Sequence, residues 1–169
     1  MESGTKLFGH PIHPMLIVFP LGLFIMSVIF DVLHFITGNA LLSTVVYYDI
    51  AAGIIGGLLA ALFGLLDWLA IPAGTRAKAI GAVHGVGNVV VVAFFAVSWL
   101  IRNGSSGHQP DIWAFVAGLL GIGLGAVTAW IGGELVYRLR VGVDDGANLN
   151  APNSLSGEPA GSAADTRRY

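Results

Sequence analysis

The sequence contains no cysteine and little charge, and both absences limit what the protein can do. Only 11% of its 169 residues are charged, whereas a soluble domain carries roughly 25%. Without cysteine the chain forms no disulfide, ligates no iron–sulfur cluster through thiolates and attaches no haem through C-x-x-C-H. The net charge of −2 offers no basic surface to nucleic acid. Thiol chemistry and nucleic-acid binding are therefore excluded.

Most of the sequence consists of long apolar runs. Hydrophobic residues make up 55% of the chain, and the mean hydropathy is +0.78. Each of four runs can cross a bilayer core of about 30 Å, and they cover residues 15–36, 48–71, 79–101 and 112–137. The first run is too long for a signal peptide and lacks an A-x-A cleavage site. The sequence therefore predicts an all-α, four-helix transmembrane bundle over residues 15–140, with a lead at 1–14 and a disordered tail at 141–169.

Basic residues near the helix ends predict the orientation. Five lie on the side of the two termini: Lys6, Arg76, Lys78, Arg138 and Arg140. The other side has Arg102 alone. Because lysine and arginine favour the cytoplasmic side, both termini are predicted in the cytoplasm, with the helices in a bacterial inner membrane and the lipid bilayer as a partner. Arg167 and Arg168 of the tail are candidates for contact with anionic lipid.

A weak internal repeat links the second and fourth predicted helices. Ala-Gly-Ile-Ile-Gly at 52–56 resembles Ala-Gly-Leu-Leu-Gly at 117–121, and each run leads to an acid, Asp67 or Glu134. The pattern suggests that a helical hairpin was duplicated. Gly53, Gly56 and Gly64 also recur at helical spacing, so they form a small-residue face of the kind that lets transmembrane helices pack closely.

Sorting the polar residues by depth gives two belts. The outer belt contains Asp31, His34, Asp49, Arg102, His108 and Asp111. Here Arg102 is expected to neutralise either Asp31 or Asp49. The inner belt contains His10, His13, Asp67, Arg76, His84, Asn88, Glu134 and Arg138. Ionisable residues inside a membrane are costly, and they mark functional sites by default.

Three histidines of the inner belt stand out. His10 and His13 each precede a proline, which predicts an extended segment, with His13 capping the first helix and Pro14 in its first turn. At about 3.1 Å per residue, the two imidazoles lie too far apart to chelate one metal ion. His84 is followed one turn later by Asn88. We expect His13 and His84 to meet at the mouth of the bundle, although a histidine that only bonds a neighbouring carbonyl or Asp67 fits the same pattern.

The motif Gly9-His10-Pro11-x-His13-Pro14, together with His84-x-x-x-Asn88 and Gly132-Gly133-Glu134, resembles the bacterial membrane family called domain of unknown function 2231. The resemblance covers about residues 8–143. It implies a membrane-embedded helical fold. Some members of that family carry an appended Rieske-type iron–sulfur domain, which implies a link to electron transfer. Some also have histidine where this chain has Glu134.

Three functions remain open. In the first, His13 and His84 ligate a b-type haem for electron transfer, Asp67 or Asn88 orients a ring, and Arg76 or Arg138 pairs with propionates. In the second, His13, His84, Asp67 and Glu134 form a non-haem metal site, or Asp67 and His84 relay protons. In the third, the chain is a structural or accessory subunit of a membrane redox complex, or forms a homo-oligomer. Catalysis is the least favoured class because no catalytic set is evident.

Overall fold

The structure is a computed structural model, and it describes residues 1–162. Four helical spans are long and apolar enough to cross a membrane: Ile12–Thr37, Ala40–Ala70, Arg76–Asn103 and Ile112–Arg138. In detail, α1 (Ile12–Leu16) and α2 (Val18–Thr37) form the first span, and α3 (Ala40–Ala70) and α4 (Arg76–Asn103) the next two. The last span is α5 (Ile112–Gly133), extended by a π-helical turn at Glu134–Arg138. The prediction of an all-α transmembrane bundle is confirmed.

The second span is longer than predicted. Helix α3 begins at Ala40 rather than at residue 48, because the side chain of Asn39 accepts a hydrogen bond from the Leu41 amide and caps the helix. Its 31 residues extend for about 46 Å, more than the apolar thickness of a bilayer. Helix α4 likewise begins at Arg76 rather than at residue 79, because Thr75 caps it.

The start of the first span differs from the prediction. His13 is not the helix cap, because α1 begins at Ile12 and Pro11 occupies the capping position. Ahead of it lies an unpredicted β-hairpin, in which β1 (Lys6–Leu7) pairs with β2 (His10–Pro11). Hydrogen bonds between these short strands, rather than the prolines alone, hold the segment extended.

The first span is interrupted at Ile17, between α1 and α2. Pro20 explains the break, since it has no amide hydrogen to donate to Leu16 and its ring crowds that carbonyl. The kink expected from Pro20 therefore appears as a break one turn before it.

Aromatic stacking joins the two hairpins at the centre of the bundle. Phe24 of α2 and Phe95 of α4 stack with ring centroids 3.8 Å apart and planes at 4°. Each ring lies on a glycine of its own hairpin: a Cβ at Gly53 would be 2.5 Å from Phe24, and one at Gly121 would be 2.7 Å from Phe95. Because each glycine has no side chain, a phenylalanine ring can pack directly against the backbone of the neighbouring helix.

The same contacts recur in the two halves of the chain. Asp31 of α2 pairs with Arg102 of α4 across 71 positions, and Phe24 stacks on Phe95 at the same separation. Gly53 therefore corresponds to Gly121 by contact, not to Gly118 as the motif at 52–56 suggested. The hairpin α2–α3 and the hairpin α4–α5 therefore repeat the same ring-on-glycine contact, and we treat them as the two repeats of the chain.

The two ends of the described chain meet on one side of the bundle, here called the terminal side. The Gly142 amide donates to the Met1 carbonyl at 2.9 Å, and Lys6 forms an ion pair with Asp144 at 2.5 Å. Ser154 packs against Gly9 in the hairpin. Residues 141–162 form turns, and the disorder of the tail remains a prediction, as does the cytoplasmic location of this side. Arg167 and Arg168 lie outside the described residues.

Candidate functional site

His13 is fixed by the backbone of α3. Its Nδ1 lies 2.8 Å from the carbonyl oxygen of Ala60. Since a carbonyl can only accept, Nδ1 carries the hydrogen and Nε2 carries the lone pair. The ring rests on Gly64, where a Cβ would lie 2.8 Å from His13 Cε1. The backbone of α3 therefore sets both the tautomer and the position of this ring.

His84 is held in the same way by α5. Its Nδ1 lies 2.9 Å from the carbonyl oxygen of Thr128, and its ring rests on Gly132, where a Cβ would be 3.0 Å from His84 Cε1. The glycine follows the carbonyl by one turn, as Gly64 follows Ala60. His13 and His84 are 71 positions apart, so they are equivalent residues of the two repeats.

The two imidazoles differ in what contacts Nε2. The side-chain amide of Asn88 donates to His84 Nε2 at 3.1 Å and to the His84 carbonyl at 3.0 Å. The Thr128 hydroxyl in turn donates to Asn88 Oδ1 at 3.0 Å. Ile17 stands at the equivalent position of the first repeat and has no amide to donate.

Asp67 belongs to a different group. Its Oδ1 accepts hydrogen bonds from the hydroxyls of Ser3, at 2.6 Å, and Thr5, at 3.1 Å. These contacts tie the N-terminal segment to the end of α3. Neither hydroxyl was singled out from the sequence, since serine and threonine near a terminus carry no distinctive signal. Thr128, also missed, is a lone hydroxyl on a helix rich in glycine.

Glu134 forms a third group with two arginines. Arg76 Nη2 lies 2.7 Å from Glu134 Oε1, and Arg138 Nε lies 3.9 Å from Oε2. The predicted inner belt therefore separates into His13 on Ala60, His84 with Asn88 and Thr128, a carboxylate held by hydroxyls and a carboxylate held by arginines. Within residues 1–162, no group of three or more histidine, aspartate and glutamate side chains is arranged to hold a metal ion.

The opposite end, here called the loop side, carries a buried ion pair. Arg102 Nη2 lies 2.5 Å from Asp31 Oδ2, with side-chain exposures of 0% and 3%. Arg102 therefore neutralises Asp31 and not Asp49, which resolves the two alternatives. Arg102 Nε also donates to Ser98, whose hydroxyl donates to the Ala114 carbonyl. The pair links α2 to α4, as the stacked phenylalanines do.

Four spanning helices in two repeated hairpins, with polar groups at both ends, define an integral, multi-pass membrane protein. A comparison with family models matches residues 9–145 to the DUF2231 family, described as a predicted membrane protein. The chain belongs to this family, and the resemblance drawn from its histidine motifs is confirmed. No curated protein and no solved structure matches the chain.

Proposed function

We propose that this membrane protein binds a b-type haem through His13 and His84 and transfers electrons. The proposal depends on one observation: the two imidazoles are equivalent residues of the repeat, and each is anchored through Nδ1 to a backbone carbonyl. A ligating histidine almost always donates its other ring nitrogen to such an acceptor, which fixes the ring and raises its basicity. Haem takes imidazole as an axial ligand, and bundles hold cofactors between facing helices.

Haem ligation would require rearrangement of two contacts, that of Asn88 with His84 and that of Arg76 with Glu134. His13 presents its Nε2 lone pair, whereas His84 Nε2 accepts the Asn88 amide. Asn88 therefore has to rotate away before His84 can ligate, and its second contact, with the His84 carbonyl, allows it to stay nearby. Arg76 and Arg138 lie at the terminal side, and their side chains are 59% and 78% exposed. They would pair with propionate groups there. The proposal includes a bacterial inner membrane with both termini in the cytoplasm.

An absorption spectrum tests the proposal. The purified protein, reconstituted with haem in detergent, should show a Soret band and the low-spin α and β bands of a bis-imidazole complex. His13→Ala and His84→Ala should each remove the low-spin spectrum. The matched control is His10→Ala, because His10 is exposed and its ring is hydrogen-bonded to the tail residue Ser154. Haem uptake that is absent in the wild type, or equal in all three variants, would reject the proposal.

A structural role is the second candidate. The network of His84, Asn88 and Thr128 is satisfied without any ligand, which favours a bundle-stabilising function in an accessory subunit of a redox complex or a homo-oligomer. Asn88→Leu separates the two candidates. It should lower the melting temperature if the network is structural, whereas it should strengthen haem binding if Asn88 competes for Nε2. Co-purification with a redox complex would support the accessory role.

A non-haem metal or proton site is the third candidate, supported by the two histidines whose rings are held in place by backbone carbonyls. A metal site would need Asp67 to leave Ser3 and Thr5, and Glu134 to leave Arg76. Metal analysis tests it directly. A stoichiometric metal that is lost in His84→Ala would support this candidate, and a metal content that is unchanged would reject it.

A further inference from the structure

An apolar groove lies between α2 and α3 on the outer surface of the bundle. Its volume is about 500 Å³. Six residues of α2, from Val18 to Phe30, line it together with Asp49 of α3. Five of the six are apolar, and the sixth is Gly22, which has no side chain. A Cβ on Gly22 would meet nothing within 4 Å, so the groove has free space at this residue.

Asp49 is the only charged residue of this lining. Asp31, the other acid of the α2–α3 hairpin on the loop side, is neutralised by Arg102. Asp49, in contrast, is half-buried and forms neither an ion pair nor a side-chain hydrogen bond within residues 1–162. An ionisable side chain in a membrane span is costly and marks a functional site by default. A cationic group from outside the chain would neutralise this carboxylate.

The groove covers the depth of one leaflet. Tyr48 directly precedes Asp49 and is 63% exposed, and tyrosine concentrates at the level of the lipid headgroups. At the other end of the groove, Phe19 lies 2.9 Å from the position of a Cβ on Gly56, near the middle of the 31-residue α3. The lining of α2 extends for about 18 Å, and half of the hydrocarbon core is about 15 Å. The groove therefore runs from the headgroups on the loop side to the centre of the membrane.

This extent favours a lipid over a protein as the occupant. A partner helix that crosses the membrane needs a contact face through both leaflets, whereas this groove ends at the middle. A second copy of the chain brings no free cation to this level. Within residues 1–162, Arg102 is the only lysine or arginine on the loop side, and it is buried with Asp31. An acyl chain occupies one leaflet from the headgroup to the centre, as the groove does.

The carboxylate selects the headgroup. A primary ammonium group donates up to three hydrogen bonds, and charge-assisted hydrogen bonds to a carboxylate are stronger than neutral ones. A trimethylated ammonium group has no hydrogen to donate. An anionic headgroup would meet the like charge of Asp49, and the buried Arg102 is not free to attract it.

We propose that the groove between α2 and α3 binds a phospholipid with a primary ammonium headgroup, of the phosphatidylethanolamine class, from the leaflet on the loop side. The ammonium group donates to the Asp49 carboxylate, and one acyl chain lies along α2 over Gly22. The site does not involve His13 or His84, so it stands independently of the proposed haem.

Native mass spectrometry of the purified, delipidated protein tests the proposal with two lipids of identical acyl chains. Phosphatidylethanolamine should bind about tenfold more tightly than phosphatidylcholine, whose nitrogen carries methyl groups in place of hydrogens. Asp49→Asn should lower the affinity for phosphatidylethanolamine to that for phosphatidylcholine and leave the latter unchanged. Gly22→Leu should weaken the binding of both lipids, because the new side chain occupies the groove.

Gly85→Leu is the matched control. Gly85 is also an exposed glycine whose Cβ would meet nothing within 4 Å, but it lies on α4, outside the groove, so both affinities should stay at the wild-type values. Neither leucine variant should melt below the wild type in lipid-free detergent, which separates a filled groove from misfolding. Equal affinity of the wild type for the two lipids overturns the proposal, as does equal affinity of the wild type and Asp49→Asn for phosphatidylethanolamine. It is also overturned if a polyleucine helix with one lysine binds the wild type and not Asp49→Asn while phosphatidylethanolamine does not bind, which would assign the groove to a partner protein.

Discussion

Asp31 and Arg102 occupy equivalent positions in the two repeats and carry opposite charges. Their 71-residue separation is that of Phe24 from Phe95 and of His13 from His84. Where the pairs Phe24–Phe95 and His13–His84 are identical in residue type, this one is complementary in charge. Two acids or two arginines at these positions would repel, so the ion pair makes each hairpin specific for the other rather than for a copy of itself.

Removing one partner of this pair should be strongly destabilising. Asp31→Ala leaves a guanidinium buried in the bundle without a counter-ion, and the loss of one member of a buried pair costs about 3–5 kcal/mol. Thermal or denaturant unfolding in detergent measures the change. Asp49→Asn is the matched control, because Asp49 is a half-buried acid for which the structure shows no ion pair within residues 1–162. A loss of less than about 1 kcal/mol in Asp31→Ala would mean that solvent reaches the pair.

Exchanging the two charges should restore much of that stability. In Asp31→Arg/Arg102→Asp, the new arginine has Ser27 four residues before it, as Arg102 has Ser98 in the wild type. The repeated contacts therefore predict a reversed pair with similar bonding. The double variant should melt well above either single exchange. A double variant that is no more stable than the single exchanges would contradict the equivalence of the two hairpins.

Two glycines should respond oppositely to alanine. In Gly53→Ala, the new Cβ would lie 2.5 Å from Phe24, so the stacked rings must shift, and overpacking of this kind costs about 1–3 kcal/mol. In Gly85→Ala, the new Cβ meets nothing within 4 Å, and helix propensity alone favours alanine by about 1 kcal/mol. Melting temperatures of the two variants should therefore fall on opposite sides of the wild type. Equal effects would show that Gly53 is not pressed against the ring.

The tip of the N-terminal hairpin is strained. Phe8 and Gly9 form its two-residue turn, with φ of 51° and 82°, the type I′ geometry that favours Asn-Gly. A left-handed conformation costs an ordinary residue about 1–2 kcal/mol. Phe8→Asn should therefore raise the stability of the hairpin, measured by hydrogen exchange of the Ile12 amide, which bonds to the Thr5 carbonyl. Gly9→Ala, which would clash with Ser154, should lower it.

The contacts between the N-terminal segment and the tail should depend on pH. The hydrogen bonds that Lys6 donates to Asp144 and then to Glu2 raise the pKa of Lys6 above 10.5, and the hydrogen bond from Lys6 lowers the pKa of Glu2 below 4.5. The stabilisation from Glu2 is therefore present above pH 4.5 and is lost as the pH falls through its lowered pKa. The stabilisation from Lys6 is present below pH 10.5 and is lost as the pH rises through its raised pKa.

Hydrogen exchange of the Asp145 amide, which donates to Glu2 at 3.1 Å, measures this dependence. After correction for the intrinsic rate, its protection should fall as the pH drops below 4.5, while protection of the Leu41 amide by the uncharged Asn39 cap stays constant. Lys6→Gln should reduce the protection at neutral pH. Protection that does not change with pH would mean that other contacts hold the tail.

The spans could be predicted from the sequence because the bilayer dictates their length and composition, so four apolar runs permit one architecture. The helix ends could not be predicted from the sequence, because they depend on capping side chains. Asn39 moves the start of α3 by two turns, and a single asparagine before an apolar run carries little weight by itself. The hairpin was missed because its strands have two residues each, too few for an alternating pattern.

Residue type alone was enough to predict which side chains belong to the candidate site. It did not predict which groups those side chains contact. His13 and His84 were singled out because histidine is rare inside a membrane. Their anchors, the carbonyls of Ala60 and Thr128, are backbone groups that leave no trace in the sequence. The true register of the repeat was also hidden, because the glycine motifs align best at a spacing that the contacts with Phe24 and Phe95 do not follow.

The short turn between α3 and α4 joins two halves that already recognise each other through stacked rings and opposite charges. It contains Gly74, whose backbone is left-handed and beside which a Cβ would meet nothing. A protease cleavage sequence inserted there would divide the polypeptide into two pieces of similar size, each crossing the bilayer twice. The pieces should remain assembled after the cut, so the protein could be produced from two separate genes.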